Sequence, residues 1–251
     1  FDNLGGAQAL QDAESKKTTA QKNVEQAKKD KDQTQQNLEA AQKELENVQN
    51  QLNSAQKALE TSTAAKTAAD KELKDAQAQK AYVETLQKDT DDRKNQCETE
   101  INKLNQSLKE YEEKIKTEQN KNQIDAYMEE YNKLTEEKKS WEANLETVND
   151  NLATLKKMQA DADERLQSAE TAAEQAQAAF EDAQTKYDGL TTQKSDQETQ
   201  VNECQTQLKD RENALQTKQD ELNAIESQLN ILKQAEDAVK SAESEKKNKE
   251  A

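Results

Sequence analysis

The 251-residue chain contains no histidine and no proline, has three glycines, and is only 3% aromatic. Without histidine it lacks the side chain that most often transfers protons near neutral pH, and also the commonest nitrogen ligand of metals. It contains no glycine-rich phosphate loop and no Cys-x-x-Cys motif. The sequence therefore predicts a protein that is not an enzyme, with no catalytic residues, metal site, cofactor or small-molecule substrate.

Apolar residues are also scarce, at 31% of the chain, which is too few for a globular core at this length. The 52 acidic and 36 basic residues give a net charge of −16. A chain of this composition can be disordered, but the absence of proline and the regular spacing of its apolar residues favour long helices. The acidic excess argues against a nucleic-acid partner. No run of 18 apolar residues is present, so no membrane insertion is expected.

Core positions recur every seven residues in two series, the first from Leu10 to Ile115 and the second from Ile124 to Leu229. A second core position follows three residues after most of them, which gives the 3.5-residue spacing of a left-handed coiled coil. Lysines occupy five positions of the first series, Lys17, Lys31, Lys66, Lys80 and Lys94, where they are expected to specify register or partner. The residues predicted to form the assembly core are Leu38, Leu45, Leu52, Leu59, Ile101, Leu108, Leu208, Leu215, Leu222 and Leu229.

Two interruptions are predicted. The core positions jump nine residues between Ile115 and Ile124 across a polar segment, which indicates a break or turn. Gly189, together with a capping box at Ser195-x-x-Glu198, indicates a second break. The predicted fold is all-α, with long coiled-coil helices folded back into an elongated antiparallel bundle. Its segments are a tail 1–6, an arm 7–116, a turn 117–123, a second arm 124–188, a break 189–194, a third helical segment 195–246 and a tail 247–251.

Cys97 and Cys204 both fall on core positions and lie at equal distances from the Asp150–Asn151 bond. A turn at 149–151 would place the two cysteines level and allow an intramolecular disulfide, which makes this pair the disulfide candidate. A turn at 117–123 conflicts with that geometry. The alternatives are two buried free thiols, or disulfides between parallel copies.

Several acidic residues are paired along the chain, as at Glu112-Glu113 and Glu129-Glu130, but none shows the spacing of an EF-hand. Each pair is interpreted as a solvated helix face, with at most weak, non-specific Ca²⁺ binding on the acidic surface as a whole. The aromatic residues Tyr111, Tyr127, Tyr131 and Trp141 flank the first interruption, and they are interpreted as a hydrophobic plug that closes the bundle there.

Heptads without proline, an acidic charge, abundant glutamine, lysine in preference to arginine and two core cysteines together resemble the trichocyst matrix proteins of ciliates. The resemblance covers the whole chain and carries no specific motif. It implies a structural protein of the extrusome, or secretory granule, that is released from the cell. Such a protein assembles with copies or paralogues into a filament or crystalline lattice that responds to Ca²⁺ or pH. The start at Phe1, without methionine, would fit cleavage from a precursor.

A second resemblance leads to a different class of protein. The segments at 40–46 (AAQKELE) and 54–60 (SAQKALE) look like the helical stalks of Gram-positive surface adhesins. Such stalks usually lack cysteine, whereas this chain has two. This alternative implies a location at the cell surface and a role as the helical stalk of a bacterial adhesin.

Overall fold

The structure, a computed structural model, describes residues 5–250, and over this range it consists of two α-helices. Helix α1 spans Gly6–Thr117 and helix α2 spans Lys121–Glu250. The chain folds back between them, so that the two helices pack against each other as an antiparallel coiled coil. The prediction of an all-α fold built from folded-back coiled-coil helices is confirmed.

The turn occupies residues 118–120, inside the segment 117–123, and side chains from the turn itself satisfy the free amides there. Glu118 accepts hydrogen bonds from the backbone N–H groups of Gln119 and Asn120, each at 3.2 Å. Asn120 then caps α2, because its Oδ1 accepts from the N–H groups of Asn122 at 3.0 Å and Gln123 at 3.4 Å. Helix α2 begins here because an asparagine cap replaces the hydrogen bonds that its first turn cannot make internally.

The helices divide into two compact units, each containing part of both. Unit 1 comprises Phe1–Ala58 and Gln184–Ala251, and unit 2 comprises Leu59–Ala183. Within each unit the apolar residues of the α1 stripe meet those of the α2 stripe. This pairing hides the apolar stripes from water, which stabilises helices that are otherwise polar on every face.

Three clusters form the core of unit 1. In the first, Leu38 and Ala41 pack with Val201 and Cys204, and Leu45 and Leu208 lie against them. The second joins Ala20 and Val24 to Leu222, and the third joins Leu52 and Ala55 to Leu190. In unit 2 the same stripe includes fully buried small and β-branched residues: Ala76, Val83 and Ala162.

The break predicted at 189–194 is wrong. Helix α2 continues through this segment, with Gly189 in helical conformation and Ser195 and Glu198 inside the helix. A glycine within a helix costs about 1 kcal/mol relative to alanine. The neighbouring Leu190 is 6% exposed and packs with Leu52 and Ala55, so this burial outweighs the local cost.

The predicted tails also differ from the structure where it describes them. Helix α1 already begins at Gly6, after Gly5 with a φ of 77°, and residues 1–4 of the predicted tail 1–6 lie outside the described range. Helix α2 runs through 247–250, although these residues were assigned to a tail, and only Ala251 is outside the description. The basic residues Lys247 and Lys249 in the last turn of α2 favour this extension, because they complement the negative end of the helix dipole.

Candidate functional site: the interhelical seam

The leucines assigned to an assembly core all lie on the seam between α1 and α2 of the same chain. Seven of these ten residues belong to unit 1, where six lie in the three core clusters and Leu229 is buried. The other three belong to unit 2, where Leu108 is buried and Leu59 and Ile101 are half-buried. The seam is therefore occupied within the chain, and these leucines are not exposed for a second copy. Any surface that contacts another molecule must be sought on the outward faces.

The most specific polar contact of unit 2 is formed by Arg165 of α2 with two residues of α1. The Arg165 guanidinium donates to both carboxylate oxygens of Glu72, at 2.7 and 3.0 Å, and also to Gln79 Oε1. Beside it, Lys80 Nζ lies 3.5 Å from an Asp163 carboxylate oxygen. We call these five residues the Arg165 clasp. The bidentate geometry fixes both the distance and the orientation of the two groups.

The clasp lies beside two buried alanines, one on each helix. Ala76 lies between Glu72 and Gln79 on α1, and Ala162 lies three residues before Arg165 on α2. Both alanines are buried, at 0% and 1% exposure. Small side chains at this level allow the helices to come near enough for Arg165 to reach both partners. The clasp and the alanines therefore set the register of unit 2 together.

Arg165 also changes the acid–base properties of its partner. The hydrogen bond from Arg165, and after it the positive charge, lowers the pKa of Glu72 below that of an ordinary carboxyl, although partial desolvation opposes this. In return, the hydrogen bond and charge of Glu72 raise the pKa of Arg165. Because the pKa of Glu72 is lower in the folded state, the pair stabilises the fold above the ordinary carboxyl range. That contribution disappears as pH falls through the lowered pKa.

We expect a titration to detect this shift. Followed by carboxyl-carbon NMR, Glu72 should lose its proton at a lower pH in the native chain than in an Arg165→Gln variant, because the variant removes the cation but keeps a polar side chain. Equal midpoints in the two proteins would contradict the clasp.

Unit 1 contains two further polar contacts across the seam. Arg211 lies 3.7 Å from an Asp30 carboxylate oxygen, and Gln197 Nε2 donates to the backbone carbonyl of Ala41 at 2.9 Å. Arg211 and Gln197 occupy core positions, yet sequence reasoning assigned neither of them a role. The signal was available: a polar residue at a core position of one helix requires a partner on the other.

The five core lysines are half-buried. Two of them, Lys66 and Lys80, form ion pairs at the edge of the seam. Lys66 pairs with Asp70 at 3.6 Å and also lies over the ring of Phe180, 5.5 Å from its centroid. Lys80 reaches Asp163 within the clasp. The lysine stems therefore cover the apolar stripe while the ammonium groups stay at its edge.

An aromatic cluster closes unit 2 beside the turn. The rings of Tyr111 and Tyr127 meet edge to face with their centroids 5.9 Å apart, and Lys114 Nζ lies 4.9 and 5.7 Å from the two ring centres. Tyr131 donates its hydroxyl to Glu112 at 3.1 Å, and this hydrogen bond raises the pKa of the Tyr131 phenol. The cluster holds the last turn of α1 against the first turns of α2.

Cys97 and Cys204 are free thiols, each buried at 4% exposure. Cys97 belongs to unit 2 and Cys204 to unit 1, where Cys204 packs with Leu38, Ala41 and Val201. The proposed intramolecular disulfide required a turn at 149–151, but those residues are helical and the chain turns at 118–120. Each cysteine therefore acts as a small apolar side chain of the seam.

A metal site or a membrane-spanning segment would leave a recognisable arrangement of side chains in residues 5–250. Within this range, no group of three or more cysteine, aspartate or glutamate side chains is arranged to hold a metal ion. Neither α1 nor α2 contains an apolar stretch of the length that a bilayer crossing needs. Candidate functional features in this range are therefore the interhelical seam with its polar contacts and the outward faces of the two helices.

Comparisons with known proteins agree with this architecture. No model of a protein family matches the chain, and no curated protein matches it. Among solved structures, a coiled-coil segment of Smc from Pyrococcus yayanosii is similar, with a TM-score of 0.69 and 14% sequence identity. The similarity covers 90% of this chain and 97% of that one. At this identity the likeness shows the fold alone, which is an antiparallel coiled coil.

Proposed function

We propose that this protein is a structural component that assembles with copies of itself or with related coiled-coil chains into a filament or lattice. The observation that carries this proposal is the closure of the apolar seam inside one chain. In such a hairpin the apolar residues are already buried within one chain, so assembly would use the charged and polar residues of its outward faces. Stiff helices of this kind suit a role in spacing and packing.

The setting that we propose is the matrix of a secretory granule of the trichocyst type, released outside the cell. The distribution of charge supports a response to Ca²⁺ or pH. Residues 59–183, which form unit 2, contain 29 acidic against 18 basic residues. Neighbouring copies would repel each other through these surfaces. Divalent cations or protonation would reduce the repulsion and change the spacing between copies, without any defined cation site.

Sedimentation velocity and negative-stain electron microscopy test the proposal. The purified chain is expected to form larger ordered species, and millimolar CaCl₂ should change their size or spacing more than NaCl of the same ionic strength. A protein that remains monomeric at every concentration, ionic strength and pH would overturn the assembly function. Ordered assemblies that are indifferent to Ca²⁺ and to pH would overturn the granule setting alone.

A further inference from the structure

The outward face of α1 in unit 1 carries lysines at a seven-residue spacing. Lys22, Lys29, Lys43 and Lys57 are separated by seven or fourteen residues and occupy the heptad position most distant from α2. All four are exposed, and none forms an ion pair or hydrogen bond within the described part of the chain. We call them the lysine stripe. Because seven residues of helix rise about 10 Å, the charges form a regular line parallel to the seam.

The outward face of α2 in the same unit has a different repeat. Thr192, Thr199 and Thr206 occupy its most distant heptad position, and each hydroxyl donates to the carbonyl four residues earlier, at 3.2, 3.2 and 3.1 Å. With its hydroxyl turned to the backbone, each threonine offers mainly its methyl group to solvent. We call these residues the threonine stripe. It forms an uncharged line along an otherwise charged helix.

Acidic residues flank the threonine stripe at the same spacing. Asp196, Glu203 and Asp210 are exposed, and they too make no ion pair or hydrogen bond with the described residues. We call these three residues the acidic stripe. Unit 1 thus has unpaired cations on one outward face and unpaired carboxylates on the opposite one.

The two charged stripes are level with each other, as the contacts across the seam show. Gln197 hydrogen-bonds to the Ala41 carbonyl, which brings Asp196 to the level of Lys43. Arg211 pairs with Asp30, which brings Asp210 to within two residues of the level of Lys29, about 3 Å along the axis and within reach of a lysine side chain. Because the two helices are antiparallel, a position fourteen residues earlier on α1 and a position fourteen residues later on α2 lie at the same height along the axis. A copy shifted sideways with no axial displacement therefore faces Lys29 with Asp210 and Lys43 with Asp196.

We propose that unit 1 of one copy binds unit 1 of a second copy, with the lysine stripe of the first seated on the threonine and acidic stripes of the second. The lysine stems cover the threonine methyl groups and the ammonium groups pair with the flanking carboxylates. Two different faces are used, so the contact does not close on itself and each copy can bind two neighbours in a growing row. This contact deepens the proposed assembly function and rests on it.

Charge reversal of each face tests the contact with the whole chain. Lys29→Glu with Lys43→Glu reverses the lysine stripe, and Asp196→Lys with Asp210→Lys reverses the acidic one. Because all four positions are exposed, both variants should retain the helix content of the native chain by circular dichroism. In sedimentation velocity at low salt, each variant alone is expected to remain at the monomer value. An equimolar mixture is expected to assemble, because each reversed face then meets a complementary one.

The matched control reverses two exposed lysines elsewhere, Lys156→Glu with Lys157→Glu, and has the same net charge as the first variant. This control is expected to assemble as the native chain does. If the native chain assembles and both stripe variants still assemble alone, the proposed contact is overturned while the assembly function stands. A mixture that stays monomeric although the control assembles also overturns the contact. If the native chain itself never associates, the assembly function fails first.

Discussion

Replacing Leu52 with aspartate is expected to lower the free energy of unfolding of unit 1 by about 2–4 kcal/mol. Leu52 is 8% exposed and packs with Ala55 and Leu190, while the ring of Tyr187 lies against this cluster. The substitution removes apolar contacts and places a carboxylate among apolar side chains, where the loss of water is not compensated. Urea unfolding followed by far-ultraviolet circular dichroism measures the loss as a lower midpoint.

The adjacent residue provides a matched control. Asn53 is exposed and accepts a hydrogen bond from Gln49 at 2.9 Å, which an aspartate oxygen at the same position can also accept. Asn53→Asp adds the same negative charge to the same turn of α1, but it should leave the unfolding midpoint almost unchanged. Equal destabilisation by the two substitutions would show that charge on α1, and not burial in the seam, determines the result.

Replacing Ala76 with leucine is expected to cost unit 2 about 1–3 kcal/mol of stability by overpacking. Ala76 is fully buried at the level where Arg165 bridges Glu72 and Gln79. A leucine side chain would force the two helices apart, and the Arg165 clasp would then lose its geometry. Two readings should change together: the urea midpoint falls, and the pKa of Glu72 returns toward that of an ordinary carboxyl.

Ala78→Leu serves as the control for this substitution, because Ala78 is exposed on the same helix two residues away. The added volume then lies in solvent, and the intrinsic helix propensities of alanine and leucine differ little. We expect an unchanged midpoint and an unchanged titration of Glu72. If Ala76→Leu also left the midpoint and the Glu72 titration unchanged, it would contradict the claim that the two helices pack closely at Ala76.

The heptad series predicted the fold class because burial in a coiled coil depends on residue spacing, which can be read directly from the chain. The turn was located only to a polar segment of several residues. A sharper signal was present in Asn120, which lies three residues before Gln123 and caps α2 through its side chain. An asparagine cap at position 120 predicts that the second helix begins at Lys121, where the structure places it.

The incorrect break at Gly189 has a physical origin. Glycine and a capping box report only local preference, whereas Leu190 gains burial against residues of α1 that are more than a hundred positions away. Interhelical polar contacts were missed for a related reason. Arg165 and Glu72 are ordinary surface residues in sequence, and their pairing depends on an interhelical register that cannot be read from either helix alone.

The most direct test of the folded-back seam uses the native Cys204. A chain carrying Cys97→Ser and Leu38→Cys has two thiols, at positions that lie in one core cluster on opposite helices. After mild oxidation, non-reducing peptide mapping should find a disulfide between residues 38 and 204 within a monomeric chain. Disulfides formed only between chains would mean that the seam joins separate copies, and would contradict an antiparallel hairpin turning at 118–120.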